Sequence, residues 1–488
     1  MTLPAFLHTG VPRRLLVGGL LGSTFTAIGG VGVGAVPRVR DPIAALLGVQ
    51  GLHHSYAGRW IALALVLIGV LLLAASWWRL GRLLNRLSPR AILVVAGLWS
   101  LPLLVSPPLF SRDVYAYAGQ GHLVASGVDP YTYGPGVLFG KFGAAVDAVW
   151  AFTPAPYGPV WLWLSGRVVA LTGDHVVVAV LLFRLVAVGG LLLVAWALPR
   201  LARSYGVPAQ RALWLGLANP FVLLHGVAGA HNDVLMVGLL VCGLAVAAGA
   251  TAGPSTRRLA AAAAIVTVAA LVKLPAAAAL AYLPLAVPGG WRVRLRSAGV
   301  VTAAAAVTAV GLSSASGLGW GWLRTLDAGS ARLSIFSPLT GVGVLAGDGL
   351  RAVGLVQTPG PVLRLVLAGG LVAAGVTAVV LLSRASRLGP LRALGLTLVS
   401  VVALAPVVQP WYLLWGLVLL AAVGGERVPH VLAALSVALC LAVMPNGRSL
   451  VRPPLYGLPV LAAAGLALVE VRRSSREHSP GVPRAAPS

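Results

Sequence analysis

The chain has 488 residues, of which 58% are hydrophobic and 10% charged, with a mean hydropathy of +0.92, which excludes a water-soluble globule. The net charge of +25 does not point to nucleic acid, because the basic residues are scattered in ones to fours between apolar runs instead of lining one face. In hydrocarbon every backbone amide must be satisfied internally, and the period-2 alternation of a barrel strand is absent. The fold class read from the sequence is therefore all-α, a polytopic integral membrane protein with about 13–14 transmembrane helices and an external loop carrying interfacial helices.

In chain order, spans are predicted over 15–36, 60–78 and 91–108. The first is longer than the apolar core of a signal peptide and lacks a small-residue cleavage site, so it reads as an anchor. Polar character then begins abruptly with Phe110-Ser111-Arg112-Asp113-Val114-Tyr115. The chain has only 11 acidic side chains, and a carboxylate this close to hydrocarbon is costly. Asp113 is accordingly the first candidate for chemistry. The external loop 109–174 continues through Gly127-Val128-Asp129-Pro130-Tyr131, where an aspartate before proline also suits a turn, and Tyr157-Gly158-Pro159. The segment 157–172 is apolar but short and reads as an interfacial or re-entrant helix.

Further spans are predicted over 175–199, which carries Arg184, then 211–229 and 233–250. Between the last two lies Ala230-His231-Asn232-Asp233, which suits a helix cap as well as a polar site. The spans 259–272 and 275–288 meet at Lys273-Leu274-Pro275. Of 36 basic residues only Lys141 and Lys273 are lysines. A compact ammonium at a membrane boundary suits a point-charge contact to phosphate, with snorkelling from a helix end as the alternative. After 297–315 comes a second external loop, 316–360, then spans 361–382 and 391–408. Gln409-Pro410-Trp411-Tyr412 opens 411–424, and 429–445 and 455–470 follow. Tyr157, Trp411 and Tyr412 equally suit the aromatic belt of a membrane surface. Residues 1–470 form a single polytopic domain in this reading, and 471–488 a disordered basic tail. Cys242 and Cys440 lie mid-helix and read as packing residues, and no Cys/His cluster has metal-ligand spacing.

Arginine alone orients the chain. With the N-terminus cytoplasmic, alternation places Arg79 to Arg90, Arg200 to Arg211, Arg257 and Arg258, Arg292 to Arg296, Arg384 to Arg392 and the tail on the cytoplasmic side of the plasma membrane. A spanning 157–172 would invert this pattern downstream, hence its interfacial assignment. All the polar motifs then fall on the external face.

Phe110-Ser111-Arg112-Asp113-Val114-Tyr115, Gly-x-Asp-Pro-Tyr, Tyr-Gly-Pro, His-Asn-Asp, Lys-x-Pro and Gln-Pro-Trp-Tyr, in this order, resemble the actinobacterial polyprenol-phosphomannose-dependent α-1,6-mannosyltransferases of the GT-C class. The resemblance extends over about residues 60–425 and includes Ser337-Pro338-Leu339-Thr340 of the second external loop. It implies a GT-C-like fold and transfer of mannose from a polyprenyl-phosphate donor to a glycolipid-borne α-1,6-mannan acceptor, of lipomannan or lipoarabinomannan type, with inversion at the anomeric carbon. It implies Asp113 as base, and Asp129, Tyr131, Tyr157, His231, Asn232, Asp233, Gln409, Trp411 and Tyr412 as substrate contacts. Lys273, with Arg112, would hold the donor phosphate in place of a metal. No cofactor is expected, although an oxygen-rich pair such as Asp113 and Asp233 also suits a divalent ion. Membrane lipids are the remaining partners. The rival class is a secondary transporter or flippase of a lipid-linked sugar, which would place ionisable groups near the bilayer midplane.

Overall fold

A computed structural model describes residues 10–35, 50–248, 255–325, 334, 336–425 and 427–447. Among these no β-strand occurs, and the main helices follow one another as α1 (Arg13–Val33), α2 (Tyr56–Gly81), α3 (Pro89–Leu104), α4 (Asp113–Ala125), α5 (Pro159–Thr172), α6 (Val176–Ser204) and α7 (Ala209–Gly216). They continue as α8 (Asp233–Ala248), α9 (Thr256–Val272), α10 (Trp291–Ala315), α11 (Pro338–Ala352), α12 (Gly360–Ser383), α13 (Pro390–Leu404), α14 (Leu414–Ala421) and α15 (Arg427–Cys440). Five of them, α1, α2, α6, α10 and α12, are long and apolar enough to cross a membrane. The pair Pro220–Ala228 and α8 makes a sixth if counted together, bent by 118°. Shorter apolar helices include α3, Leu274–Ala286, α13 and Pro410–Ala421. The protein is an all-α polytopic membrane protein. The expected span 455–470 and tail 471–488 lie outside the described residues.

Two predicted spans are not continuous helices. The stretch 211–229 divides into α7, a short helix Pro220–Leu223 and a π-turn Leu224–Ala228. Asn219 makes the break: its side chain accepts from the Phe221 N–H (3.0 Å) and donates to the Leu215 carbonyl (3.1 Å) and Ser436 Oγ (2.8 Å). Pro220 then starts a new helix at the one position where its missing N–H does no harm. Likewise Leu274–Ala286 is a 3₁₀ turn, one α-turn and another 3₁₀ turn, because Pro275 and Pro284 remove backbone donors that a continuous helix needs.

Helices adjacent in sequence pack pairwise, α1 on α2, α4 on α5, α8 on α9 and α13 on α14, and α6 packs on α8 across the intervening α7. The α6–α8 contact fixes the later site. A Cβ on Gly190 would lie 2.7 Å from the Val234 backbone, and one on Gly238 would strike the Gly190 carbonyl. Without side chains there, the two backbones meet as small residues allow in apolar surroundings. Trp77 and Trp214 tie α2 to α7 reciprocally. Each indole N–H donates to the other's backbone carbonyl at 2.9 Å, and the rings stack at 4.6 Å.

Candidate active site

The site begins at the loop after α3. Leu109 N–H donates to the Ala228 carbonyl (3.2 Å) and Phe110 N–H to Pro445 (2.9 Å), so the chain reaches Asp113 under constraint from two other segments. Phe110 is held at φ 61°, a left-handed conformation that side chains disfavour. Asp113 opens α4, its N–H donating to Ser111 Oγ (3.1 Å). The helix N-terminus favours a carboxylate there. Burial opposes this and is the main reason the Asp113 carboxyl is pushed up to about 6; the charge of Lys273 lowers it, Asp233 raises it, Ser111 lowers it and Asp147 raises it. Its side chain keeps 20% exposure, against none for His231.

The second wall is the turn before α8. Ala230 has φ 52°, again left-handed, and delivers His231, Asn232 and Asp233, all fully buried. His231 Nδ1 lies 3.7 Å from Asp113 Oδ2, and its ring stacks on Trp411 at 4.0 Å. Tyr117, one turn after Asp113 on α4, donates its hydroxyl to Asn232 Oδ1 (3.3 Å) and reaches His231 Nδ1 (3.5 Å).

The third wall carries Lys273, the C-cap of α9. Its ammonium donates to both oxygens of Asp233, at 2.7 and 2.8 Å, and Trp415 Nε1 donates to Asp233 Oδ1 at 2.6 Å. Three aromatic rings surround the ammonium: Tyr412 at 4.5 Å, Trp415 at 5.5 Å and Tyr157 at 5.8 Å. Tyr157 gets there because Gly158 has no side chain; a Cβ at that residue would run into the Leu271 backbone, two residues before Lys273. Trp411 and Tyr412 come from the 3₁₀ turn Pro410–Leu413 that precedes α14, with Gln409 half-buried at its start.

Asp113, His231, Asn232, Asp233, Lys273, Tyr157, Trp411 and Tyr412 are thus brought together from five segments. Arg112 faces the neighbouring loop instead, with Nε 3.5 Å from Asp147 Oδ2. Asp129 serves its own turn, accepting from Tyr131 N–H (2.9 Å) and Thr132 Oγ1 (2.6 Å), and the Tyr131 ring lies against Gly321. Both oxygens of Asp233 already accept from the Lys273 ammonium, and Oδ1 accepts from the Trp415 indole as well.

Two residues of the cluster carry no motif signal. Tyr117 is four residues after Asp113 and Trp415 four after Trp411, spacings that share one helix face. In a chain with 14 Trp and 10 Tyr, such aromatics look like packing or belt residues.

A sequence model described as "Alpha-(1->6)-mannopyranosyltransferase, N-terminal domain" matches residues 16–289, and one described as "MptB C-terminal domain" matches residues 339–473. The chain is 37% identical to a probable alpha-(1->6)-mannopyranosyltransferase of Mycolicibacterium smegmatis, over 84% of this chain and 79% of that protein. It is 35% identical to an alpha-(1->6)-mannopyranosyltransferase of Mycobacterium tuberculosis, over 88% and 82%. With alpha-(1->6)-mannopyranosyltransferase B of Corynebacterium glutamicum it shares 29% identity over 92% and 80%. No solved structure matches the chain. By these matches, and by its long apolar helices, the chain belongs to the alpha-(1->6)-mannopyranosyltransferase family and is a membrane glycosyltransferase.

Proposed function

We propose that the enzyme transfers mannose from a polyprenyl-phosphate-mannose donor to a hydroxyl of a lipid-linked α-1,6-mannan, inverting the anomeric carbon at the external face of the plasma membrane. The observation that carries this reading is Asp113, a partly exposed carboxylate beside the ion pair of the fully buried Asp233 with Lys273. Inversion needs one base and a stabilised leaving group, without the second carboxylate of a retaining enzyme. Asp113 takes the acceptor proton as that oxygen attacks C1 of the mannosyl phosphate, while the C1–O bond to phosphate breaks and its electrons pass to the departing lipid phosphate.

Asp233 is unsuited to the base role, since its oxygens already accept from Lys273 and Trp415. It fixes the ammonium among three aromatic rings, and the remaining N–H capacity of Lys273 meets the leaving phosphate. His231, Asn232, Trp411 and Tyr412 line the sugar, with the stacked His231–Trp411 pair offering an aromatic floor; Gln409 contributes to the outer acceptor path. A bent helix pair like Pro220–Ala228 and α8 also occurs in transporters. Here the break presents its polar residues to Asp113.

The test is mannose transfer by the purified full-length protein, using synthetic polyprenyl-phosphate mannose and an alkyl α-1,6-dimannoside. Asp113→Asn should lower turnover by about 10²–10⁴-fold while membrane insertion and yield stay unchanged. Near-normal turnover would remove Asp113 as the base.

A further inference from the structure

We propose that Arg184, buried in the first third of α6, is a positioning residue for this transfer: it holds, from behind, the two backbone segments that carry Asp113 and His231–Asp233. The inference rests on the reaction proposed above. Arg184 is 1% exposed, and its three hydrogen bonds all run to backbone carbonyls. Nη1 donates to Leu104 (2.6 Å), Nε to Val227 (2.9 Å) and Nη2 to Ala228 (3.2 Å).

Those acceptors are not arbitrary. Leu104 is the last residue of α3, and Val227 and Ala228 close the π-turn before α8, so all three are carbonyls of the kind a helix end leaves without a partner. The negative ends of two helices converge on one guanidinium, which compensates the buried charge without a carboxylate. Both segments then lead directly into strain. The chain leaving α3 reaches Phe110 at φ 61° and then Asp113; the chain leaving Ala228 reaches Ala230 at φ 52° and then His231. Ala228 itself joins the two, since its carbonyl accepts from Leu109 N–H as well as from Arg184. Left-handed conformations at residues with side chains persist only where surrounding contacts over-determine them. Arg184 supplies that over-determination to both walls at once. Its planar fork reaches three carbonyls at fixed angles, which a lysine ammonium on a flexible stem does not reproduce.

Arg184→Lys and Arg184→Met, made in the full-length protein in nanodiscs and assayed with synthetic polyprenyl-phosphate mannose and the alkyl α-1,6-dimannoside, separate positioning from bulk stability. Displacement of the base by about 1 Å costs on the order of 10²-fold in rate. Arg184→Lys should therefore keep its elution profile and donor KM within twofold while kcat falls by roughly that factor. Arg184→Met should fall further or fail to assemble. Arg184→Lys with wild-type kcat, or with kcat and donor KM both degraded alongside aggregation, overturns the proposal. Wild type and Asp113→Asn are run in parallel: if wild type transfers no mannose, or Asp113→Asn matches it, the reaction assignment has failed and the Arg184 role falls with it, whereas an active wild type and an inactive Asp113→Asn leave the Arg184→Lys result to decide the positioning role alone.

Discussion

The Lys273 ammonium and the Asp233 carboxylate form a bidentate pair at 2.7 and 2.8 Å, with the aspartate fully buried and the lysine side chain only 11% exposed. A pair so far from water is stable only while both members are present. Asp233→Ala and Lys273→Met should each destabilise the protein by about 3–5 kcal/mol, because each leaves one charge buried alone. The double variant Asp233→Leu/Lys273→Met should recover a large part of that loss, although it transfers no sugar. Thermal unfolding in detergent checks the set. Additive losses in the double variant would mean that the two groups are solvated independently.

The pH dependence follows from Asp113. Burial pushes its carboxyl up to about 6, and the base must be ionised to accept a proton. The active fraction therefore grows as pH rises through 6, and one unit below that midpoint roughly a tenth of the sites are competent. Lys273 lowers this pKa and Asp233 raises it. Lys273→Met removes the cation that lowers this pKa, which moves the acidic limb of any residual activity to higher pH. A profile of kcat/KM between pH 4.5 and 8.5 measures both midpoints. A limb that stays in place in the variant would separate Lys273 from the ionisation of Asp113.

Gly158 is a steric prediction. A methyl group at this residue meets the Leu271 backbone, which cannot rotate away as a flexible side chain would. Gly158→Ala should cost about 1–3 kcal/mol by overpacking and push Tyr157 off the Lys273 ammonium. Donor-dependent turnover should fall more than this loss of stability explains, since the cation loses one of its three aromatic faces. Gly189→Ala, in open space on α6, is the matched control and should be neutral.

Much of the cluster was legible because polar residues are scarce. Against so apolar a background Asp113, His231, Asp233 and Lys273 stand out, and arginine asymmetry assigns them to one face. Their partnerships were not legible. Nothing in the spacing of 233 and 273 says that the two will bind each other, since that contact depends on the bend before α8 and on the closeness of α6 to α8. The bend itself arises from Asn219-Pro220 and a π-turn, a local choice that hydropathy averages away. Asp129 shows the converse. Its Asp-Pro setting reads equally as site or turn, and in the structure both oxygens serve the turn. Arg184 was visible as a charge within a span, but its three carbonyl acceptors come from segments that the sequence places roughly 40 and 80 residues away.

Sidedness connects the cluster to its donor, and the native cysteines make it measurable. Cys242 and Cys440 are 7% and 2% exposed, so an impermeant maleimide should leave the parent protein unlabelled. Phe139 is fully exposed on the loop between α4 and α5, and Arg203 is exposed near the end of α6. Phe139→Cys should react in intact cells, while Arg203→Cys should react only after permeabilisation. The α4–α5 loop is continuous with Asp113, so its compartment is that of the base. Labelling of Arg203→Cys but not Phe139→Cys in intact cells would put the base on the cytoplasmic side, and an external polyprenyl-phosphate donor would then be unable to reach it.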